Sequence, residues 1–209
     1  DVCSSDLEDA SPEINNCIIQ NSNTSGIYLE NASPDIVDCA INFNKADGIY
    51  ADDGSHPIIS YSSFSENGNV PVNIRARYVK NVTGCSGIIN GQDCILVRGD
   101  NIISSCTWEK QALPYVVTGN ITVRNADANN EAATLTIEPG VEVRFEPGKR
   151  LYIGYRHYST KYYGAVSAVG TPSSPIVFTA KNSGPSPDSH WGGIYFKNET
   201  KDDLTRLQH

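Results

Sequence analysis

The chain has 209 residues, with 24 acidic side chains, 16 basic ones and a formal charge of −8. That balance leaves no basic footprint for nucleic acid, no apolar run reaches the roughly 18 residues that span a bilayer, and 39% hydrophobic against 19% charged residues excludes a disordered chain. Twenty Ile and 15 Val against 8 Leu and no Met, with 19 Asn and 17 Gly, predict an all-β chain of short strands and tight corners.

Residues 1–7, DVCSSDL, resemble the in-frame translation of a sequencing-adapter oligonucleotide and are set aside as an artefact or a disordered end. An internal repeat follows. SPEINNCIIQNSNTSGIYLENA (11–32) and SPDIVDCAINFNKADGIYADDG (33–54) superpose without a gap at a period of 22 residues. A looser third copy starts at Ser55, where His56-Pro57-Ile58 repeats the opening and Tyr61 takes the cysteine's place. Each copy holds three short β-prone runs, and no stretch has the 3.6-residue period of a helix. Such a unit builds one coil of a parallel solenoid, with like positions stacked about 4.8 Å apart. Ile14, Ile36 and Ile58 are expected to form one inward ladder, Ile27 and Ile49 a second. Cys17 and Cys39 are expected on adjacent rungs, as buried thiols packed like small hydrophobes; a disulfide or metal site is the competing reading.

The pattern loosens over residues 78–106. Cys85, Cys94 and Cys106 fall there, and one disulfide among them is compatible with an oxidising compartment, its three pairings left open. From Thr107 strands and Pro-Gly turns alternate: PYVVTGNITV, LTIEPGVEVRF, LYIG, GAVSAVGT, PIVFTA and WGGIYF.

This ordered series over residues 108–196 resembles the opening module of right-handed parallel β-helix proteins of bacterial and archaeal cell surfaces, and residues 11–77 resemble the later coils of the same pectate-lyase-like fold. The resemblance implies the end of one solenoid over residues 8–105, followed by the capped start of a second over 106–209, with Trp108–Val123 as the terminal cover. It implies a window from a longer secreted or cell-surface repeat protein, structural or adhesive, that takes polysaccharide on a lateral face or neighbouring copies of itself end to end. The fold also houses polysaccharide lyases and glycoside hydrolases, so an enzyme is the alternative, although fold alone does not license one.

A lyase of this kind implies Ca²⁺ held by clustered carboxylates beside a basic residue. Asp52 and Asp53 with Arg75 and Arg77 form one candidate set; Asp93 with Arg98 and Asp100 forms another. The plainer reading is solvated corner charges of little energetic worth. His56, His157, His190 and His209 lack metal-ligand spacing, so no resident cofactor or metal is expected apart from that Ca²⁺. Tyr152, Tyr155, Tyr158 and Tyr162, interleaved with Arg150 and Arg156, are the candidate ligand-binding residues, since aromatic faces suit sugar rings and cations; a loop packed on itself competes with that reading.

Overall fold

The computed structural model describes residues 5–182, 184 and 189–208. The chain divides into two compact units, Asp1–Val97 with Gln111–Tyr115, and Arg98–Lys110 with Val116–His209.

In the first unit three parallel sheets run beside one another. The first takes Ser5–Glu8, Ile27–Glu30, Ile49–Ala51, Val72–Arg75 and Ile95–Arg98 in order. The second takes Glu13–Asn15, Asp35–Val37, Ile58–Ser60 and Val82–Thr83; the third takes Ile18–Gln20, Ala40–Asn42, Ser63–Ser65 and Ser86–Ile88. Each coil therefore contributes one strand to every sheet, as the 22-residue period predicts. Ile14 registers on Ile36, and Ile27 on Ile49 and then Val72. Ile27, Ile36, Ile49 and Val72 are fully buried, and each contributes roughly 1.5–3 kcal/mol by leaving water. No coil could bury these side chains alone; the neighbouring rung covers them.

Three expectations need correction. One extra residue stands between the second repeat and the third coil, so Ile36 registers on Ile59, 23 residues on, while Ile58 opposes Asp35. Ile58 points outward at 48% exposure and Ile59 is fully buried, because a one-residue slip in a strand turns every side chain to the other face. The same slip puts Tyr61 outside and Ser62 on the cysteine rung, where its hydroxyl accepts the Cys39 N–H at 3.1 Å. Cys17 is exposed, not buried, since among the described residues nothing stacks on the outer side of Glu13–Asn15 and Ile18–Gln20. Finally, residues 1–4 lie outside the described residues, but Ser5–Glu8 is a strand, with Leu7 registered on Leu29.

The corners repeat as strictly as the strands. Between the second and third sheets a single left-handed residue turns the chain: Asn16 (φ 54°), Asp38 (53°), Tyr61 (51°) and Gly84 (63°). After the third sheet Asn21, Phe43, Glu66 and Ile89 do the same. Asn and Gly tolerate this region; Ile is an outlier there, and the Ile89 N–H is held by Asp93 Oδ2 at 3.1 Å. Inside the second series of corners lies a polar ladder that the sequence reading missed. Asn44 Nδ2 donates to Asn67 Oδ1 at 2.8 Å, and Asn67 Nδ2 to Asn90 Oδ1 at 2.9 Å. The same carboxamide oxygens accept backbone N–H groups of Asn44 and Asn67. Gln111 closes this unit elsewhere, its Nε2 donating to Val82 O and its Oε1 accepting the Cys85 N–H.

In the second unit the coils lengthen along the chain, from 21 residues between Asp100 and Ile121 to 30 between Ile121 and Leu151 and 43 between Leu151 and Ile194. One parallel sheet orders Asp100–Ile102, Ile121–Val123, Arg150–Ile153 and Gly193–Phe196; another orders Cys106–Trp108, Ala132–Ile137 and Thr160–Val169, with Arg206–Gln208 paired to the last. Ile121 registers on Leu151 and Leu151 on Ile194. The added length goes into loops, among them an antiparallel hairpin of Tyr155–His157 against Thr160–Val169. None of the five described cysteines forms a disulfide.

Candidate ligand-binding surface

The acidic candidates are committed to turns. Asp52 Oδ1 accepts Ser55 Oγ–H at 2.6 Å, Gly54 N–H at 3.0 Å and Asn31 N–H at 3.2 Å. Burial pushes its carboxyl up, but these bonds outweigh burial and hold it below the ordinary value. Asp93 does the same at another corner, accepting Asn90 Nδ2–H at 2.8 Å, Asn90 N–H at 3.0 Å and Ile89 N–H at 3.1 Å; its carboxyl too is lowered against the opposing effect of burial. Asp53 lies side by side with the Arg75 guanidinium, Nε to Oδ1 at 2.7 Å and a second nitrogen to Oδ2. The structure thus brings Asp52, Asp53 and Arg75 to neighbouring coils and leaves Asp93 on a separate turn. Among the described residues no group of three or more His, Cys, Asp and Glu side chains converges as a metal site.

The aromatic candidates do converge. On Arg150–Ile153 and Gly193–Phe196 the inward side chains are Leu151 and Ile194, and the alternate positions carry Tyr152 and Tyr195 outward, 5.6 Å apart. Tyr155 and Tyr162 oppose one another across the hairpin at 6.0 Å. Cations are threaded between the rings. Lys197 Nζ stands 4.9 Å from the Tyr152 ring and 5.7 Å from the Tyr155 ring. The Arg124 guanidinium is 4.9 Å from Tyr162 and 5.5 Å from Tyr155, and that of Arg150 is 4.7 Å from Tyr195. Arg156 instead pairs with the buried Glu199, Nε to Oε1 at 2.6 Å. A depression of about 290 Å³ opens between Arg124, Tyr155, His157 and Tyr162.

Tyr152, Tyr155 and Tyr162 therefore share one surface, while Tyr158 stands at the hairpin tip, 89% exposed, against His157 only. Sequence reasoning missed Tyr195, Lys197 and Arg124, which reach the surface through coils of other lengths than 22. It also passed over Tyr28 and Tyr50, one coil apart, whose rings lie 5.2 Å apart and within 7° of parallel on the outer face of the first unit. The signal was legible, since Gly-Ile-Tyr stands at 26–28 and again at 48–50.

Two family models match the chain: right handed beta helix region over residues 6–145, and pectate-lyase like beta helix domain over residues 100–201. A curated relative, Protein bark beetle of Drosophila melanogaster, is 33% identical over 87 residues, which is 42% of this chain; the chain spans about 2% of that protein's length. No solved structure matches. With every described coil adding parallel strands to shared sheets, and a family model covering well over half of its residues, the chain belongs to the right-handed beta helix family.

Proposed function

We propose that the chain is a non-catalytic module of a secreted or cell-surface repeat protein, and that it takes carbohydrate on the outer face of its second unit. The observation that carries this reading is the outward pairing of Tyr152 with Tyr195, continued by Tyr155 and Tyr162 and interleaved with Lys197, Arg124 and Arg150. Aromatic rings offer apolar faces to the C–H side of a sugar, and the cations between them suit its hydroxyls and carboxylates. The rings sit on paired strands and a hairpin, which hold them in place before any ligand arrives, so little ordering cost is left for binding. Asp52 and Asp93 are engaged in holding corners and Asp53 is paired with Arg75, which supports a binding role over a chemical one.

A glycan array followed by calorimetry tests the proposal. The 209-residue chain is expected to bind a subset of polysaccharides, with uronate-bearing ones prominent. Tyr155→Ala with Tyr195→Ala should weaken binding at least about tenfold, the equivalent of about 1.4 kcal/mol. Binding that survives the double substitution would move the site elsewhere. Depolymerisation of any bound polysaccharide, lost with Asp52→Ala or Asp93→Ala, would establish the lyase or hydrolase reading instead.

A further inference from the structure

The corners between the second and third sheets stack two cysteines. Asn15 registers on Val37 and Ile18 on Ala40, so the intervening pairs, Asn16-Cys17 and Asp38-Cys39, are bracketed by matched rungs. Both corners turn the same way, with Asn16 and Asp38 left-handed at φ 54° and 53°, and the Ala40 N–H donates to Cys17 O at 2.8 Å. Cys17 and Cys39 therefore hold one position on neighbouring coils. A rung is about 4.8 Å, which falls inside the roughly 4.4–6.8 Å between Cα atoms that a disulfide spans.

The two sulfurs approach the same stretch of the first coil. Cys39 Sγ–H donates down to Ile14 O at 3.2 Å, and Cys17 Sγ–H donates to Asn15 O at 3.3 Å. The Cys39 sulfur lies within reach of both the Cys17 N–H and the Cys17 thiol. Their access differs, since Cys39 is 2% exposed and Cys17 is open to solvent. Cys85 holds the same corner two rungs beyond Cys39, with Ser62 between them. That is roughly 10 Å, too far for a bond to Cys39.

We propose that Cys17 and Cys39, both thiols in this structure, are a disulfide-forming site: a small-molecule disulfide oxidises them to one bond that ties the outermost described coil to the next. The exchange has two steps. The Cys17 thiolate attacks one sulfur of the oxidant; a new S–S bond forms, the oxidant's own S–S bond breaks, and its other half leaves as a thiolate that takes up a proton. Cys39 then gives its proton to water, and its thiolate attacks the Cys17 sulfur and expels the second half in the same way. Two protein thiols are oxidised and one small disulfide is reduced. Cys39 never has to meet the oxidant, because its target is its neighbour's sulfur; an open thiol beside a sheltered resolving one is the arrangement this chemistry uses. Burial raises the Cys39 thiol, so the second step is the slower. The bond joins residues 22 apart and restricts the unfolded chain, which stabilises the fold. It does so where the stack is weakest, on a coil that is covered on one side only among the described residues.

The test incubates the reduced 209-residue chain with oxidised glutathione, quenches in acid, alkylates the remaining thiols and cuts after Glu. That cleavage puts Cys17 in residues 14–30 and Cys39 in residues 31–66. The two peptides are expected joined by one disulfide, and the oxidised chain should unfold several degrees above the reduced one. Cys39→Ser should stop at a glutathione adduct on Cys17; serine suits that position, since Ser62 occupies the next rung. Cys17→Ser should leave Cys39 without glutathione. Carbohydrate enters none of these readouts, so the site is judged apart from the aromatic surface. A parent chain that stops at the Cys17 adduct, a bond from either cysteine to another partner, or an oxidised chain that unfolds no later than the reduced one would each overturn the proposal.

Discussion

Asn67 receives the Nδ2–H of Asn44 at 2.8 Å and passes its own to Asn90 at 2.9 Å, so one carboxamide joins three successive coils. The same side chain donates to Ile41 O at 2.9 Å, and its Oδ1 accepts the Asn44 N–H at 3.2 Å. Every polar atom of Asn67 is used inside a residue only 2% exposed. Such a network stabilises when complete and costs free energy when a member is removed, because the remaining buried groups lose their partners without gaining water.

Asn67→Ala is therefore expected to cost about 2–4 kcal/mol, one or two orphaned groups at about 1–3 kcal/mol each. Urea unfolding of the two proteins side by side measures this. A cost near zero would mean that water replaces the carboxamide and that the ladder is decoration. Asn67→Asp should be similarly costly near neutral pH, since the carboxylate cannot donate to Ile41 O or Asn90 Oδ1.

The register of the third coil gives a sharper contrast. Ile59 is fully buried and Ile58, beside it, is 48% exposed. Ile59→Ala should cost about 2–5 kcal/mol through lost burial and the cavity left behind. Ile58→Ala should stay within about 0.5 kcal/mol. Thermal unfolding of both variants decides between this register and the one that a strict 22-residue period implies, which reverses the two values.

That residue pair shows where sequence patterning carries and where it stops. Pro12, Pro34 and Pro57 mark the starts of the coils, and the first two repeats fix the parallel stacking, because side-chain alternation and period agree there. A single extra residue before the third coil leaves composition unchanged yet moves Ile58 outward, and only backbone pairing reveals it. The asparagine ladder was hidden for the same reason: Asn44, Asn67 and Asn90 are spaced by 23, not 22, in a chain with Asn at many corners. Of the aromatic surface, Tyr152, Tyr155 and Tyr162 were visible as a local cluster, whereas Tyr195 joins through a rise of 43 residues, Tyr152 to Tyr195, that no short-period pattern contains.

Acid should loosen the first unit at identifiable corners. Asp52 and Asp93 both titrate below the ordinary value of 3.8 in the folded chain. A lowered carboxyl contributes stability that is fully present above the unfolded value and is lost as pH falls through the folded one. The unfolding temperature is thus expected to hold down to about pH 4 and to drop below it. Asp52→Asn should be less stable than the parent near neutral pH, and the difference should shrink in acid, where the parent's carboxyl is also uncharged. Parallel melting curves across this range check both statements; a gap that stays constant with pH would remove the charge from the explanation.

Thiol chemistry probes the same stack from the alkaline side. Burial raises the thiols of Cys39 and Cys85, that of Cys85 to about 11, whereas Cys17 is exposed on the outermost described coil. Because the thiolate is the reactive form, native protein treated with a thiol reagent at mildly alkaline pH should be labelled at Cys17 and spared at Cys39 and Cys85 until it unfolds, with peptide mass spectrometry reading each site. Linkage adds a second observable. The Cys85 thiol ionises near the ordinary thiol value of 9.0 once unfolded, but only near 11 in the fold. Its contribution is complete below pH 9 and declines as pH rises from there toward 11. Cys85→Ala should flatten that decline in the urea midpoint, and labelling of native Cys85 as fast as Cys17 would show that the coils above and below do not close over it.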